Sequence, residues 1–252
     1  MVDFSLKDRV AIVTGGSRGI GEAIAKGFAE QGATVIVCSR KQDGVDAVAQ
    51  DIIKSGGTAV GIACHTGQTS AIESLYARVK AEFGRVDILV NNAAANPYFG
   101  PSIDIPESAF DKTFEVNVKG YFLMAQHAAR MMVEQGKGSI INVASIAGIS
   151  PPPMQGIYGV TKAAVLAMTK MFAKELSGAG VRCNAIAPGL VETKFAQVLI
   201  DSPEMLEHFT SRTPMGRHAQ PNEMVGAAVF LASDASSYTS GAVITCDGGY
   251  TA

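Results

Sequence analysis

The sequence predicts an α/β fold, a doubly wound sheet of seven parallel strands with helices on both faces. Three observations lead to it. Seven short β-branched runs recur along the chain, segments with helical apolar spacing separate most of them, and no Pro/Gly/Ser-rich linker divides the chain. The runs are too short for helices and apolar on both faces, which suits strands covered on both sides. Strand–helix alternation calls for right-handed crossovers that lay helices over a parallel sheet. Residues 1–252 therefore read as one domain.

Residues 10–13 form the first run, and Ile20, Ala23, Ile24, Gly27 and Phe28 behind it make an amphipathic stripe. Residues 34–37 and 59–62 follow, then a second stripe of Ile72, Leu75, Val79 and Phe83. Residues 86–90, 139–143, 181–186 and 242–245 complete the set. Gly32, Gly56-Gly57, Gly84, Gly136, Gly138 and Gly180 fall just after helical segments, where C-terminal caps are expected. The alternation fails over residues 188–220, a long mixed segment that interrupts the sheet. In open α/β folds an insert past a strand's carboxyl end often covers the ligand.

Composition narrows the function. The chain is 47% apolar and 17% charged, with 27 glycines, and is long enough to bury a core without disulfide or metal staples. Lys and Arg number 21 against 23 Asp and Glu, and no basic stripe appears, which argues against nucleic acid as a partner. No apolar run approaches the roughly 18–20 residues of a membrane span. Neither end of the chain reads as a targeting signal. Cys38, Cys64, Cys183 and Cys246 stand singly, in no zinc spacing, and read as buried reduced thiols with no metal site. A cytoplasmic address is expected.

The first run leads into Thr14-Gly15-Gly16-Ser17-Arg18-Gly19-Ile20-Gly21. Glycine permits positive φ and lets backbone approach a phosphate closely. The helix start that follows offers free N–H groups and a partial positive charge. A glycine cluster that follows a strand and opens a helix has the context a dinucleotide site requires.

Its spacing, Thr-Gly-x-x-x-Gly-x-Gly, resembles that of the short-chain dehydrogenase/reductase family in its classical form. The resemblance extends over almost the whole chain. Asn91-Asn92-Ala93 looks like the family's Asn-Asn-Ala-Gly segment. Asn117, Ser145, Tyr158 and Lys162 match its catalytic tetrad in order and spacing. Pro188-Gly189 with Thr193 matches the turn that holds the nicotinamide, and Asp247-Gly248-Gly249 the exit of the last strand. The resemblance implies a single-domain Rossmann fold. It implies a nicotinamide cofactor held by Gly15, Ser17, Arg18, Gly19, Ile20, Gly21, Asn91, Ala93, Pro188, Gly189, Val191 and Thr193, with Tyr158 and Lys162. It also implies a homotetramer, with helices near 107–135 and 157–178 and the last strand at interfaces.

Two departures stand out. Ala94 replaces the family's usual Gly, and Cys64-His65-Thr66 stands where Asp-Val is usual, the Asp lying near the adenine. His65 either alters that contact or is an exposed loop histidine. Cys64-His65, with residues 91–100, looks most like the branch of NADPH-dependent carbonyl and retinal reductases.

An NAD-specific site usually ends its second strand with a carboxylate for the ribose 2′-OH. Here the stretch reads Val37-Cys38-Ser39-Arg40-Lys41, with Ser39 at the key place. Arg40 follows it, and Arg18 projects from the glycine turn. Two guanidinium groups converging on one point suit a 2′-phosphate. NADP(H) is therefore expected over NAD(H), with NAD(H) still possible.

Tyr158 and Lys162 are four apart in a helical segment and share a face. Hydride transfer to a carbonyl needs a proton for the developing alkoxide, and the reverse needs a base. A free tyrosine, with pKa about 10, is a poor base at neutral pH. A nearby ammonium lowers that pKa, and bringing it near 7 needs about 3 units, or roughly 4 kcal/mol. Tyr158 is thus the expected acid/base. Lys162 is expected to lower its pKa and to bond the nicotinamide ribose. Ser145 can position the substrate oxygen. Asn117 anchors a proton-relay water, as the resemblance implies, or bonds backbone in a helix kink, and the two roles are compatible.

Three segments are expected to line the substrate. Residues 95–101 bring Tyr98 and Phe99, and residues 146–155 bring Pro152 and Met154 in a stiff Pro151-Pro152-Pro153-Met154 stretch. Residues 190–215 bring Phe195, Val198, Leu199, Met205, Leu206 and Phe209 at helical spacing, to line the substrate or else to close the core or a subunit interface. With no cation in the first two, an apolar or aromatic ketone or aldehyde (or its alcohol) is expected. A rival reading is a 3-oxoacyl-[acyl-carrier-protein] reductase, with Arg130 and Lys174 meeting the acidic acyl carrier protein. A reading of another class is a non-catalytic cofactor sensor or scaffold.

Overall fold

The computed structural model describes residues 2–252. Seven strands form one sheet: β1 (Val10–Thr14), β2 (Thr34–Ser39), β3 (Thr58–Ala63), β4 (Ile88–Asn91), β5 (Gly138–Val143), β6 (Val181–Pro188) and β7 (Val243–Cys246). Their order is β3-β2-β1-β4-β5-β6-β7, and every pairing is parallel. The nine helices among the described residues are α1 (Gly19–Glu30), α2 (Gln42–Lys54), α3 (Thr69–Phe83), α4 (Glu107–Phe114), α5 (Tyr121–Gln135), α6 (Gly156–Leu176), α7 (Gln197–Ile200), α8 (Pro203–Thr210) and α9 (Val225–Ala232).

Side chains alternate along a strand, so a doubly covered sheet has two cores. Ile12, Ile36, Leu89 and Ile140 face α3, α5 and α6 through Leu75, Met124 and Phe172. Their neighbours Ala11, Val13, Val35, Val90 and Ile141 face α1, α2 and α9 through Phe28, Val48 and Leu231. Burial on both faces holds for the inner strands. It fails at the edges: β3 and β7 are only partly buried, because an edge strand has a neighbour on one side alone.

Gly32, Gly56, Gly84, Gly136 and Gly180 adopt the positive φ expected of caps. Gly57 and Gly138 do not. They are packing positions, where a Cβ would press on Ile52 and Met132 respectively. The helical stretch near 107–135 is interrupted by a wider π-turn over Glu115–Gly120. The segment near 195–209 is two short helices, because Ser202 caps α8 and Pro203 opens it.

Strand order reverses between β1 and β4, where α/β folds leave a crevice at the carboxyl ends of the strands. The segment after β6 returns to this end. Val191 bridges Ala219, and Glu192 N–H donates to the Ala219 carbonyl at 2.8 Å, closing residues 192–218 into a flap pinned at its base.

Candidate active site

The glycine turn sits at the reversal point, between β1 and α1. Arg18 precedes α1 without offering it a side-chain cap, so the first-turn N–H groups stay available to an anion. Gly15 and Gly19 have φ of +64° and +59°. A Cβ on Gly15 would lie 2.7 Å from Asn92 Nδ2, and one on Gly21 would strike the Gly15 carbonyl. Ile20 packs partly into the core below. Two residues that the motif reading left without a role brace this turn. Thr14 Oγ1 accepts from the N–H groups of Asn92 and Ala93 at 2.9 and 3.1 Å. Asn92 Nδ2 donates to the Thr14 carbonyl at 2.9 Å. A pyrophosphate fits this cradle.

Ser17 Oγ donates to Ser39 Oγ at 3.0 Å, drawing the turn against the end of β2. Arg18 and Arg40 are both exposed, and neither joins an ion pair among the described residues. His65 lies just past β3 and is spent locally. Its Nδ1 accepts from Gly67 N–H at 3.0 Å, and its Nε2 lies 3.2 Å from Lys112 Nζ. Burial, with the charge of Lys112, lowers its pKa. Ala94 costs no backbone strain, since Asp8 and Met154 are the only non-glycine residues with positive φ among those described.

Asn91 is buried and turned inward. Its Nδ2 donates to the Tyr121 carbonyl at 3.1 Å and to Asn142 Oδ1 at 3.0 Å. On the far side of the crevice, Gly189 N–H donates to the Cys246 carbonyl at 3.0 Å beside Pro188. Val191 is buried in the bridge at the flap's base. Thr193 leans onto the glycine turn: a Cβ on Gly19 would lie 3.0 Å from its Cγ2. Sequence-distant parts of the expected cofactor site therefore meet.

Tyr158 and Lys162 lie one turn apart on α6, both buried. Lys162 Nζ donates to the Val143 carbonyl at 2.7 Å and to Tyr121 Oη at 3.3 Å, and sits 5.6 Å from the Tyr158 ring centroid. Burial pushes the Tyr158 phenol up to about 12, and hydrogen bonding with Ser145 opposes it. Burial pushes the Lys162 ammonium down to about 7. This corrects the simple expectation of an ammonium dragging the phenol toward neutrality. In the protein alone, dry walls act on both groups more strongly than they act on each other.

A stability consequence follows. A free lysine titrates near 10.4. Between about 7 and that value the unfolded chain holds a proton that folded Lys162 has lost, so its penalty falls as pH rises through that window. Lys162→Met should remove the penalty, since Tyr121 Oη still serves the Val143 carbonyl at 3.1 Å. We expect its Tm at pH 6 to exceed wild type by about 3 °C or more, the gain vanishing near pH 10. Equal melting curves at pH 6 would refute this.

Ser145 leaves β5 in extended backbone and caps the short turn Ile146–Gly148, accepting from Ala147 N–H at 3.1 Å. Asn117 sits in the π-turn, fully buried, and makes no hydrogen bond to Lys162. Its Oδ1 accepts from Ala95 N–H at 2.8 Å, and its Nδ2 donates to the Ala95 carbonyl at 2.9 Å and Thr161 Oγ1 at 3.1 Å. The side chain thus bonds backbone in a helix irregularity, one of the two compatible roles considered for it. It ties the loop after β4 to α6.

The substrate side is built as two facing walls. Gly100 N–H donates to the Met154 carbonyl at 2.9 Å, joining residues 95–101 to residues 146–155, and Tyr98 Oη donates to the Pro101 carbonyl at 3.0 Å within the first of these loops. Phe99 and Pro152 are half-buried in these loops, and Met154 is exposed. From the flap, Phe195 comes within 5.6 Å of the Tyr158 ring, centroid to centroid. Phe209 does not join it: it stacks at 5.1 Å on Tyr250 of the C-terminal segment.

A seven-stranded parallel sheet of this order, with a glycine turn at its reversal point, defines a Rossmann-like α/β protein. A family model described as enoyl-(acyl carrier protein) reductase matches residues 15–251. Dehydrogenase/reductase SDR family member 4 of Bos taurus is 41% identical over 244 residues, covering 97% of this chain and 88% of that one. The L-rhamnose 1-dehydrogenase (NAD(P)(+)) of Azotobacter vinelandii is 40% identical over 249 residues, 97% of each chain. A crystal structure of a gluconate 5-dehydrogenase from Burkholderia cenocepacia, in complex with NADP and tartrate, superimposes with a TM-score of 0.96 at 33% identity, covering 99% and 98% of the two chains. This chain belongs to the short-chain dehydrogenase/reductase family and is an oxidoreductase.

Proposed function

We propose that the protein is an NADP(H)-dependent short-chain reductase of apolar or aromatic ketones and aldehydes, interconverting them with secondary or primary alcohols. The observation that carries this reading is the buried Tyr158–Lys162 pair with Phe195 against the Tyr158 ring, and we assign Tyr98, Phe99, Pro152 and Met154 to the same entrance. Bound NADPH would supply the hydride. The Tyr158 hydroxyl gives its proton to the alkoxide as it forms. Ser145 holds the carbonyl oxygen beside that hydroxyl, and the Lys162 ammonium stabilises the phenolate left behind. The glycine turn binds the pyrophosphate, and Arg18 and Arg40 take the 2′-phosphate, with Ser39 leaving room for it.

NADP in the gluconate 5-dehydrogenase relative supports this cofactor, and the L-rhamnose 1-dehydrogenase name keeps NAD open as a second choice. We place the chain nearest the carbonyl and retinal reductases, on Cys64-His65 and residues 91–100. Sugar-acid substrates fit less well, because residues 95–101 and 146–155 offer no cation for a carboxylate. Four free cysteines suit a cytoplasmic home, and no helix among the described residues is long and apolar enough to cross a membrane. Exposed Phe110, Phe122, Val133 and Val160 on α4, α5 and α6 support assembly, for which we propose a tetramer.

The deciding experiment is a panel of carbonyl compounds and alcohols, gluconate and L-rhamnose included, with NADPH, NADH and their oxidised forms. NADPH consumption with aromatic ketones supports the reading. Faster oxidation of the sugars would replace it, and no turnover despite NADPH binding would favour a sensor. Arg130 and Lys174 are exposed on α5 and α6, so acyl carrier protein belongs in the panel with a 3-oxoacyl thioester. Within this reading, Phe195→Ala should raise the KM for an aromatic ketone about tenfold, the loss of one aromatic contact, and leave NADPH affinity unchanged. An unchanged KM would remove Phe195 from the pocket.

A further inference from the structure

Tyr121 belongs to none of the motifs that define the site, yet Lys162 is built onto it. It opens α5 directly after the π-turn that carries Asn117. Its side chain is among the largest fully buried ones in the molecule. The hydroxyl donates to the Val143 carbonyl at 3.1 Å and accepts from Lys162 Nζ at 3.3 Å. Nζ donates to that same carbonyl at 2.7 Å and lies 5.0 Å from the Tyr121 ring centroid. The other end of Tyr121 is fixed too, since its own carbonyl accepts from Asn91 Nδ2 at 3.1 Å.

No carboxylate pairs with Lys162 among the described residues. A buried ammonium without a counter-charge depends on hydrogen-bond acceptors and on aromatic faces. Lys162 has two oxygens and two ring faces, and Tyr121 supplies one oxygen and the nearer face. We propose that Tyr121 is a positioning residue for Lys162, whose hydroxyl and ring keep the ammonium charged and parked at the end of β5 beneath Tyr158.

The inference rests on the role given to Lys162 under Proposed function. The groups that face Nζ are Tyr121 from α5, Tyr158 from α6 and the Val143 carbonyl from β5. No charged side chain contributes to the downward shift of Lys162; burial alone does. Removing one acceptor therefore acts on the protonation of Lys162 directly. A neutral Lys162 stabilises the Tyr158 phenolate less, in either direction of the reaction.

Tyr121→Phe keeps the ring and deletes the oxygen, while Tyr121→Leu deletes both. We expect the basic limb of the pH profile of kcat/KM to move toward acid by about half a unit or more in Tyr121→Phe, and further in Tyr121→Leu. At pH 8 kcat should fall about threefold or more, with the carbonyl KM unchanged. A merely structural role would lower Tm and leave the profile in place.

A second measurement needs no substrate. NMR of 13C-labelled lysine, with Lys162→Met to assign the signal, reports the titration midpoint of Lys162. That midpoint should fall in Tyr121→Phe, and in the wild type the Lys162 Hε protons should show the upfield shift of a ring face. An unmoved midpoint, a pH profile superimposable on wild type, or an unshielded Lys162 in the wild type would each overturn the proposal. If the wild type turns over no carbonyl compound, the functional reading falls, and the NMR titration still decides the place of Tyr121.

Discussion

Tyr158→Phe should lower kcat for carbonyl reduction by about 10³-fold, within the range a positioned general acid contributes. NADPH affinity, followed by the fluorescence of the reduced nicotinamide, should stay within about twofold of wild type. The two effects separate because the substitution removes one oxygen and leaves the ring. The ring packs against Phe195 at 5.6 Å and lies beside the Lys162 ammonium, and Phe preserves both contacts. What disappears is the hydroxyl that hydrogen-bonds with Ser145. The phenol of the free protein is held up to about 12, so the proton is securely in place for reduction. In the oxidative direction the same shift is a barrier, which the positive charge of an oxidised nicotinamide would offset. Oxidation should therefore fall off toward acid pH more steeply than reduction. Retained turnover in Tyr158→Phe would sink the mechanism.

Arg40→Asp should weaken NADPH binding by about 10²-fold, through loss of a charge-assisted hydrogen bond and gain of repulsion toward the 2′-phosphate. NADH, which has no such phosphate, should keep its affinity within a few-fold. The structure makes this test clean. Arg40 is exposed and joins no ion pair among the described residues, so its replacement disturbs no packing. Ser39 beside it accepts from Ser17 at 3.0 Å, which keeps the turn and the strand end in register. Because both arginines face solvent, the NADPH preference should also shrink as salt rises. Kinetic constants for both cofactors at two ionic strengths measure the two effects together. Unaltered NADPH kinetics in Arg40→Asp would move the 2′-phosphate site elsewhere.

The sheet was legible because it is written in local pattern. Residues 10–13, 34–37 and 139–143 are mostly β-branched and apolar, and the structure covers each of these strands on both faces. The edge strands were misread for the same reason. A run such as residues 59–62 does not say how many neighbours its strand has, and β3 has one. The glycine turn was legible because its residue types are dictated by positive φ and close backbone approach at Gly15 and Gly19.

The braces of the site were not legible. Thr14, Asn92 and Tyr121 act through partners brought together only by strand order, and their own residue types are unremarkable in a buried setting. Phe209 takes the other of its two readings, packing within the protein. Its spacing placed it with Phe195, but Pro203 breaks the helix and turns Phe209 onto Tyr250.

The amino-acid sequence alone thus sufficed for the fold class, the glycine turn between β1 and α1, the absence of a carboxylate at Ser39 and the pairing of Tyr158 with Lys162 on one helix. Each depends on contacts within a turn or a strand, where chain connectivity sets the geometry. The tertiary structure decided the electrostatics. It showed Lys162 without a counter-charge, held by Val143 and Tyr121 and brought down to about 7 by burial. It also showed Asn117 spent on Ala95 and Thr161, and His65 on Gly67 and Lys112. Burial and neighbouring dipoles come from every element packed around a group, and such a sum is fixed only once all seven strands and their helices are in place.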